Sequence, residues 1–305
     1  VSLKIALKVD VCNRRSLEEG VPGLMRIFAE FGVQASFFVA FGPDNSGKAI
    51  RRVFRRGFIK KMIRTGAPRT YGLKTLLYGT LLRAPMVGES LPQLLVQIKE
   101  ARHEVGLHGW DHVGWHDGLS RMTLEEMRES FGRACRTFEQ SLGSRPLFSG
   151  APGWQMTPAS LRVQDEYGFT FASDCRGQRP FYPRVADTVL KTLQIPTTLP
   201  TSDELLGTDG INEQTLANYY LRCLRKDCVN ILGLHAEIEG LRYRGWLREF
   251  FAGSLKLGAE FPLLSEIARH ELAAAVADEM VQREIPGRAG FVAYQKGAIL
   301  EQSRT

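Results

Sequence analysis

The feature that most constrains the fold of this 305-residue chain is a recurring pair, a short aliphatic strand-like segment followed by a stretch with helical spacing. Leu3–Val11 alternates and is rich in aliphatic residues. Leu17–Phe31 then has helical spacing and stops at Gly32, a good C-terminal signal. Val33–Phe41 reads as a second strand, closed by the turn cluster Gly42-Pro43-Asp44-Asn45. The pattern resumes with a helix over 91–102, a strand over Glu104–Leu107 and a long helix over 123–142. Further short strands are expected at 146–149, 169–173, 192–196 and 228–234, with helices at 157–167, 213–226 and 243–257. Repeated β-then-α units imply a parallel sheet, open or closed into a barrel, with function at the strand C-termini. A chain of this length fits one α/β domain, here expected over residues 1–282. Residues 283–305, with Gly287-Arg288-Ala289-Gly290, read as a C-terminal tail.

The bulk properties narrow the class. A hydrophobic fraction of 44% is ample for a large core, so the chain is globular rather than disordered. Five cysteines (Cys12, Cys135, Cys175, Cys223 and Cys228) show no paired framework, and an odd count predicts a reducing compartment. No signal peptide is expected, because Val1–Val11 is charged and strand-like and has no cleavage site. No apolar run approaches the roughly 18–20 residues of a spanning helix.

The net charge of +7 is unevenly distributed: between Lys48 and Arg83 there are eleven Lys or Arg and no Asp or Glu. This stretch interrupts the β-α alternation and reads as an insertion of two short helices joined near Gly66–Pro68. Its basic residues, among them Arg55, Arg56, Lys60 and Lys61, interleave with Phe54, Phe58, Ile59, Leu76, Leu77 and Leu81. That composition suits an anionic membrane surface. A solvated helix packing its apolar face inward competes with this reading. Nucleic acid is not expected, since no nucleic-acid motif accompanies the patch.

The chemistry concentrates in Gly106-Leu107-His108-Gly109-Trp110-Asp111-His112, which places two imidazoles four residues apart directly after a short strand. On a helical turn that spacing puts both rings on one face, where they can converge on one ion. Imidazole is the usual nitrogen ligand of zinc and similar divalent metals. The first strand ends Val9-Asp10-Val11-Cys12, and side chains two apart on a strand share a face, so Asp10 and Cys12 would meet one pocket. Another apolar strand ends in His235, which supplies a candidate general acid opposite a candidate base.

Several separated segments, in order, carry a resemblance along nearly the whole chain. They include Val-Asp-Val at 9–11, Gln-Ala-Ser-Phe-Phe at 34–38, Gly-Pro-Asp-Asn at 42–45 and Glu-Val-Gly-Leu-His at 104–108. Trp-Asp-His at 110–112, Ser-Asp-Cys-Arg-Gly at 173–177, Gln-Ile-Pro at 194–196 and His-Ala-Glu-Ile-Glu-Gly at 235–240 continue it. With these the chain resembles the polysaccharide deacetylase (NodB-homology) family of metal-dependent amide hydrolases, and within it a subgroup that deformylates a lipid-linked formamido sugar. The resemblance implies a distorted or incomplete (β/α) barrel. It implies His108 and His112 as ligands of a divalent metal such as zinc, Asp10 as general base and His235 as general acid. Asp174 occupies the region where the family orients its catalytic histidine.

The family's third ligand is acidic and, in this subgroup, stands two positions after the base. Here that position is Cys12. Its thiolate would complete a zinc site of Cys12, His108 and His112, or it does not bind and leaves a weakened two-histidine site. The arginine that tunes the family's base is missing from the Gly150–Trp154 loop, which leaves Arg176 as its replacement. Asp44, Asn45, Trp110, Trp154 and Arg176 are expected to line the substrate site, and Arg55, Arg56, Lys60 and Lys61 to meet the membrane.

The implied activity is hydrolysis of a formamide on an amino sugar linked to undecaprenyl phosphate, in lipid A modification and polymyxin resistance. The implied place is peripheral, on the cytoplasmic face of the inner membrane. The alternatives are N-deacetylation of a glycan amide and a catalytically weakened module that binds a lipid-linked sugar.

Overall fold

The first strand, β1 (Leu3–Val11), is buried on both faces along almost its whole length, as its near-continuous aliphatic sequence requires of a central parallel strand. On one edge it pairs in parallel with β2 (Ser36–Val39), and with β9 (Asn230–His235) on the other. In the computed structural model, which describes residues 2–54 and 72–302, the order continues from β2 through β3 (Glu104–Leu107), β4 (Phe148–Ser149) and β5 (Phe171–Ala172) to β8 (Leu193–Gln194). These neighbours are all parallel. Beyond β8, the N–H groups of Thr198 and Leu199 donate to the Ile231 carbonyl of β9 at 3.2 and 3.1 Å. The curved sheet is thus bridged back toward its starting edge outside the regular ladders, in keeping with an irregular, incomplete barrel.

Inside the curve lies an apolar plug drawn from successive strands: Ala6, Phe38, Phe148, Phe171, Leu193 and Ile231. Phe148 stacks on Phe171 with centroids 4.8 Å apart, and Phe38 meets Phe148 edge-on at 5.1 Å. Gly106 admits the Phe148 ring, since a Cβ there would sit 2.3 Å from it. Leu264 and Ile267 of the helix Leu264–Glu271 belong to the same cluster. Outside the sheet, helices such as Val21–Phe31, Leu124–Leu142 and Arg244–Lys256 cover a larger core. Helix Leu124–Leu142 starts at a capping box: Glu126 N–H donates to Thr123 Oγ1, and Thr123 N–H to the Glu126 carboxylate.

Two segments depart from the sequence-based expectation. Between β5 and β8 the chain makes a hairpin of β6 (Phe181–Val185) and β7 (Thr188–Val189). The residues read as a tail instead begin within an antiparallel pair, β12 (Met280–Glu284) and β13 (Phe291–Gln295). The two bond to the molecule through Arg176, whose N–H donates to Ala293 O at 2.9 Å and whose carbonyl accepts from Gln295 N–H at 2.8 Å. Arg55, Arg56, Lys60 and Lys61 lie outside the described residues. The described flanks of that stretch form 3-10 helices, Ser46–Phe54 of nine residues and Thr75–Leu77 of three.

Candidate active site

The C-terminal ends of β1, β3 and β9 meet above the aromatic plug. Register pairs Asp10 of β1 directly with His235 of β9, which sets the candidate base and acid on adjacent strands. His108 follows β3 and extends the ladder, its N–H donating to Val39 O at 2.7 Å. His112 is the first residue of the helix His112–Gly118, capped by the Asp111 side chain, which accepts from Gly114 N–H. The two histidines therefore converge across a turn rather than along a helix as expected. Gly109 supplies that turn with φ +74°, a left-handed conformation that glycine adopts without strain.

One ligand atom each from Cys12, His108 and His112 can be chosen so that all lie within 4.8 Å of one another. His108 is fully buried. Burial is the main reason its pKa falls to about 4, so the ring is neutral near pH 7. Its Nδ1 lies 2.9 Å from the Gly150 carbonyl, a contact that fixes the proton on Nδ1 and leaves Nε2 as a lone pair. Among the described residues that Nε2 has no hydrogen-bond partner; it is buried, 3.9 Å from Asp10 Oδ2. A buried, neutral, unpartnered nitrogen beside a thiol and a second imidazole fits a soft divalent ion, with the backbone carbonyl orienting the ring from behind.

Asp10 is nearly buried. Burial alone would raise its pKa, but Lys8, His108, His235 and Arg288 together outweigh that and hold the carboxyl below its ordinary value. Lys8 Nζ stands 3.7 Å from Asp10 Oδ1. The lysine is wholly buried, donates to Ser173 O at 2.6 Å and lies over the Phe38 and Trp154 rings at 4.9 and 5.5 Å. A lysine in an otherwise aliphatic strand, two residues from Asp10 and on its face, is the signal that sequence reading passed over.

His235 has its backbone N–H bonded to Glu239 Oε2 at 2.7 Å, its ring edge-on to Trp154 at 6.5 Å, and Nδ1 3.9 Å from Asp203 Oδ1. Gly20 and Gly240 seat the short helix Ala236–Glu239 behind it: a Cβ on Gly20 would lie 2.2 Å from Ala236 O. Glu237 and Glu239 are fully buried there, and burial is the main cause that lifts each to about 8.

The family model for polysaccharide deacetylases matches residues 3–172. A probable 4-deoxy-4-formamido-L-arabinose-phosphoundecaprenol deformylase of Shewanella sediminis is 35% identical over 299 residues, covering 98% of this chain and 97% of the relative. This chain belongs to the polysaccharide deacetylase family. A second such probable deformylase, from Wigglesworthia glossinidia brevipalpis, is 30% identical over 287 residues, covering 92% of this chain and 98% of the relative. Among solved structures, one from Mycobacterium smegmatis assigned to the polysaccharide deacetylases has TM-score 0.63 at 18% identity, covering 93% of this chain and 96% of that one. An allantoinase has TM-score 0.61 at 17% identity, covering 89% and 91%. Both share the fold.

In this polysaccharide deacetylase the structure brings together Asp10, Cys12, His108, His112 and His235, and places other expected residues differently. Asp174 does not reach His235. Both Gln164 and Gln194 amides donate to its Oδ2 at 2.8 Å, and burial raises its pKa. The carboxylate beside His235 is Asp203, itself an acceptor from Thr201 Oγ1 at 2.6 Å. Arg176 is engaged by Glu204, at 2.9 and 3.0 Å from its two oxygens, and by the carbonyls of Thr197 and Leu199, so it is not the cation beside Asp10.

Asp44 accepts from Arg14 N–H and from Ser46 within its own turn, and the Asn45 amide donates to Asp111 at 2.6 Å. Both help to shape the loop beside the site. Trp110 packs partly buried on the core, its carbonyl accepting from Gly42 N–H. Trp154 is a buried wall of the site, with Lys8, Arg176 and Arg288 around its indole.

Proposed function

We propose that this protein is a metal-dependent deformylase that hydrolyses the formamide of a 4-formamido-arabinose linked to undecaprenyl phosphate, releasing formate. The observation that carries the reading is the pairing of Asp10 with His235 across β1 and β9, beside the Cys12, His108 and His112 cluster. The names of relatives at 30–35% identity over nearly the whole chain supply the substrate. Cys12, His108 and His112 would hold the ion, zinc being favoured by the thiolate over harder ions. When bound there, the ion would polarise the formyl oxygen and lower the pKa of a water. Asp10, kept ionised by Lys8 and its other cationic neighbours, takes the proton from the attacking water. His235, its backbone anchored to Glu239 and its ring 3.9 Å from Asp203, gives its proton to the departing nitrogen, which is too basic to leave as an anion.

The substrate tail requires the site to work at a bilayer. A peripheral station on the cytoplasmic face of the inner membrane suits the basic stretch 48–83. Its described flanks expose Ile50, Leu73 and Leu81 at 68%, 74% and 82%, beside the exposed cations Lys74 and Arg83. No helix among the described residues is long and apolar enough to cross a membrane. The route would serve lipid A modification and polymyxin resistance.

Product analysis tests the reading. Incubation with the formamido-sugar phosphoisoprenoid should release formate stoichiometrically with free amine. Release of acetate from an acetamido glycan, with no formate from the formamide, would reassign the enzyme as an N-deacetylase. Substrate binding without either product would leave a binding module.

A further inference from the structure

Arg288 lies in the turn between β12 and β13, in the segment that sequence reading set aside as a tail. Its guanidinium covers the Trp154 indole at 4.6 Å from the ring centroid, and the same indole meets His235 edge-on. Gly153, with φ +60°, makes the approach possible: a Cβ there would lie 3.2 Å from Arg288 Nη2 and 2.1 Å from the His116 ring. His116 is one helical turn beyond His112, with ring centroids 6.4 Å apart. Arg288 therefore packs on the Trp154 wall that His235 also meets, next to the Gly153 turn against His116.

The side chain is only 10% exposed, yet it makes one hydrogen bond among the described residues, from Nη2 to Gly153 O at 3.2 Å. A guanidinium carries five N–H donors in a planar fork, so most of its capacity is unused. Its ion pair with Glu204 is long and shared. Glu204 lies 3.8 Å from Nη1, beyond hydrogen-bond reach, and both its oxygens are held by Arg176. A partly desolvated cation with open donors at the rim of a reaction centre awaits an anion. Arginine's fork matches phosphate oxygens in particular.

We infer that Arg288, stacked on Trp154, binds the phosphate of a phosphate-linked amino sugar, so that the site selects a phosphorylated substrate over a neutral glycan. This rests on the deformylase reading for the sugar and adds the residue that recognises its anion. A neutral polysaccharide would leave most of the guanidinium's donors unused.

The experiment compares two substrates with the same formamido sugar, a short-chain prenyl phosphodiester and a neutral alkyl glycoside, on the metal-loaded wild type, Arg288→Gln and Arg288→Lys. The ratio of kcat/KM for the phosphodiester to that for the glycoside should fall by about 10–100-fold in Arg288→Gln, mainly through KM, the scale of a lost charge-assisted hydrogen bond. Arg288→Lys should restore part of it. Calorimetry with a short prenyl phosphate that carries no formamide should show the same weakening in Arg288→Gln. That arm needs no turnover, so it stands or falls separately from the deformylase assignment. Absence of formate from wild type on both substrates would reject the deformylase reading alone. An unchanged ratio with unchanged prenyl-phosphate binding, or an equal loss on both substrates with a shifted pH–rate profile, would overturn the inference. Circular dichroism and thermal melting of each variant exclude misfolding as the cause of a loss.

Discussion

Asp10 and His108 show how burial and charge divide the work between neighbouring side chains. His108 loses its proton because it is buried, and Asp10 loses its own because the charges around it, Lys8 first, outweigh burial. Cys12 decides the character of the ion. Cys12→Ser should lower zinc affinity by at least about tenfold, or ~1.4 kcal/mol, in a chelator-competition titration. Cys12→Asp should restore an oxygen-ligand site of the family type. Unchanged zinc affinity in Cys12→Ser would remove the thiolate from the ligand set.

Glu237 gives a prediction about pH. Its folded pKa is raised to about 8 from 4.5, mainly by burial, and Oε2 has no hydrogen-bond partner. The unfolded chain ionises above 4.5 while the folded one keeps its proton. The contribution is thus fully present below pH 4.5 and lost as pH rises toward 8, at about 1.4 kcal/mol per pH unit for one proton. Glu237→Gln should flatten the fall in stability between pH 6.5 and 8 without abolishing it, because Glu239 remains. Denaturation curves of variant and wild type that run parallel across that window would contradict the assignment.

At the scale of elements, most of the frame was legible because the signals are local. The long helix over 123–142, the Gly32 stop and the aliphatic run of β1 each depend on adjacent residues, and each formed where expected. The strands expected at 146–149 and 169–173 are shortened to two residues each, as their flanks bend out of the ladder. The pairing of β12 with β13 was missed because five-residue strands beside a Gly-Arg-Ala-Gly turn carry little periodicity. Their partner, Arg176, is more than 100 positions away in sequence. A comparable distance in sequence hid Arg288 from Trp154, whereas Asp10, His108, His112 and His235 announce themselves at or near strand ends. Proximity of a residue in the family pattern was a poor guide for Asp174, whose pocket is closed by two glutamines.

The contact of Gly20 with the helix Ala236–Glu239 makes a test at this scale. Gly20 has φ −72°, so any penalty for Gly20→Ala is steric rather than conformational. A Cβ would stand 2.2 Å from Ala236 O. We expect a loss of about 1–3 kcal/mol in urea denaturation, the usual scale of overpacking, with reduced activity as His235 shifts. A stability equal to wild type would mean that this junction yields without cost.

The whole molecule is a parallel α/β scaffold whose polar centre rests on an apolar plug, with an exposed basic and leucine-bearing flank beside it. If that flank meets the bilayer, replacing Arg51, Arg52, Arg55, Arg56, Lys60, Lys61 and Arg64 together by Glu should weaken binding to anionic liposomes in sedimentation assays. At about 1 kcal/mol for each cation near the surface, even partial engagement is large. Turnover of the long-chain substrate should slow, and a short water-soluble analogue should be spared. Equal loss on both would contradict membrane docking.

The central claim is that Cys12, His108 and His112 hold one divalent ion on which deformylation depends. Its most direct test measures metal content and formate release on the same samples of wild type and His108→Ala. The account predicts about one ion per wild-type chain, loss of formate release on chelation, and recovery on adding zinc. His108→Ala should remain folded, bind the ion far more weakly and stay inactive under the same additions. Full formate release from metal-stripped wild type, or full metal occupancy in His108→Ala, would contradict it.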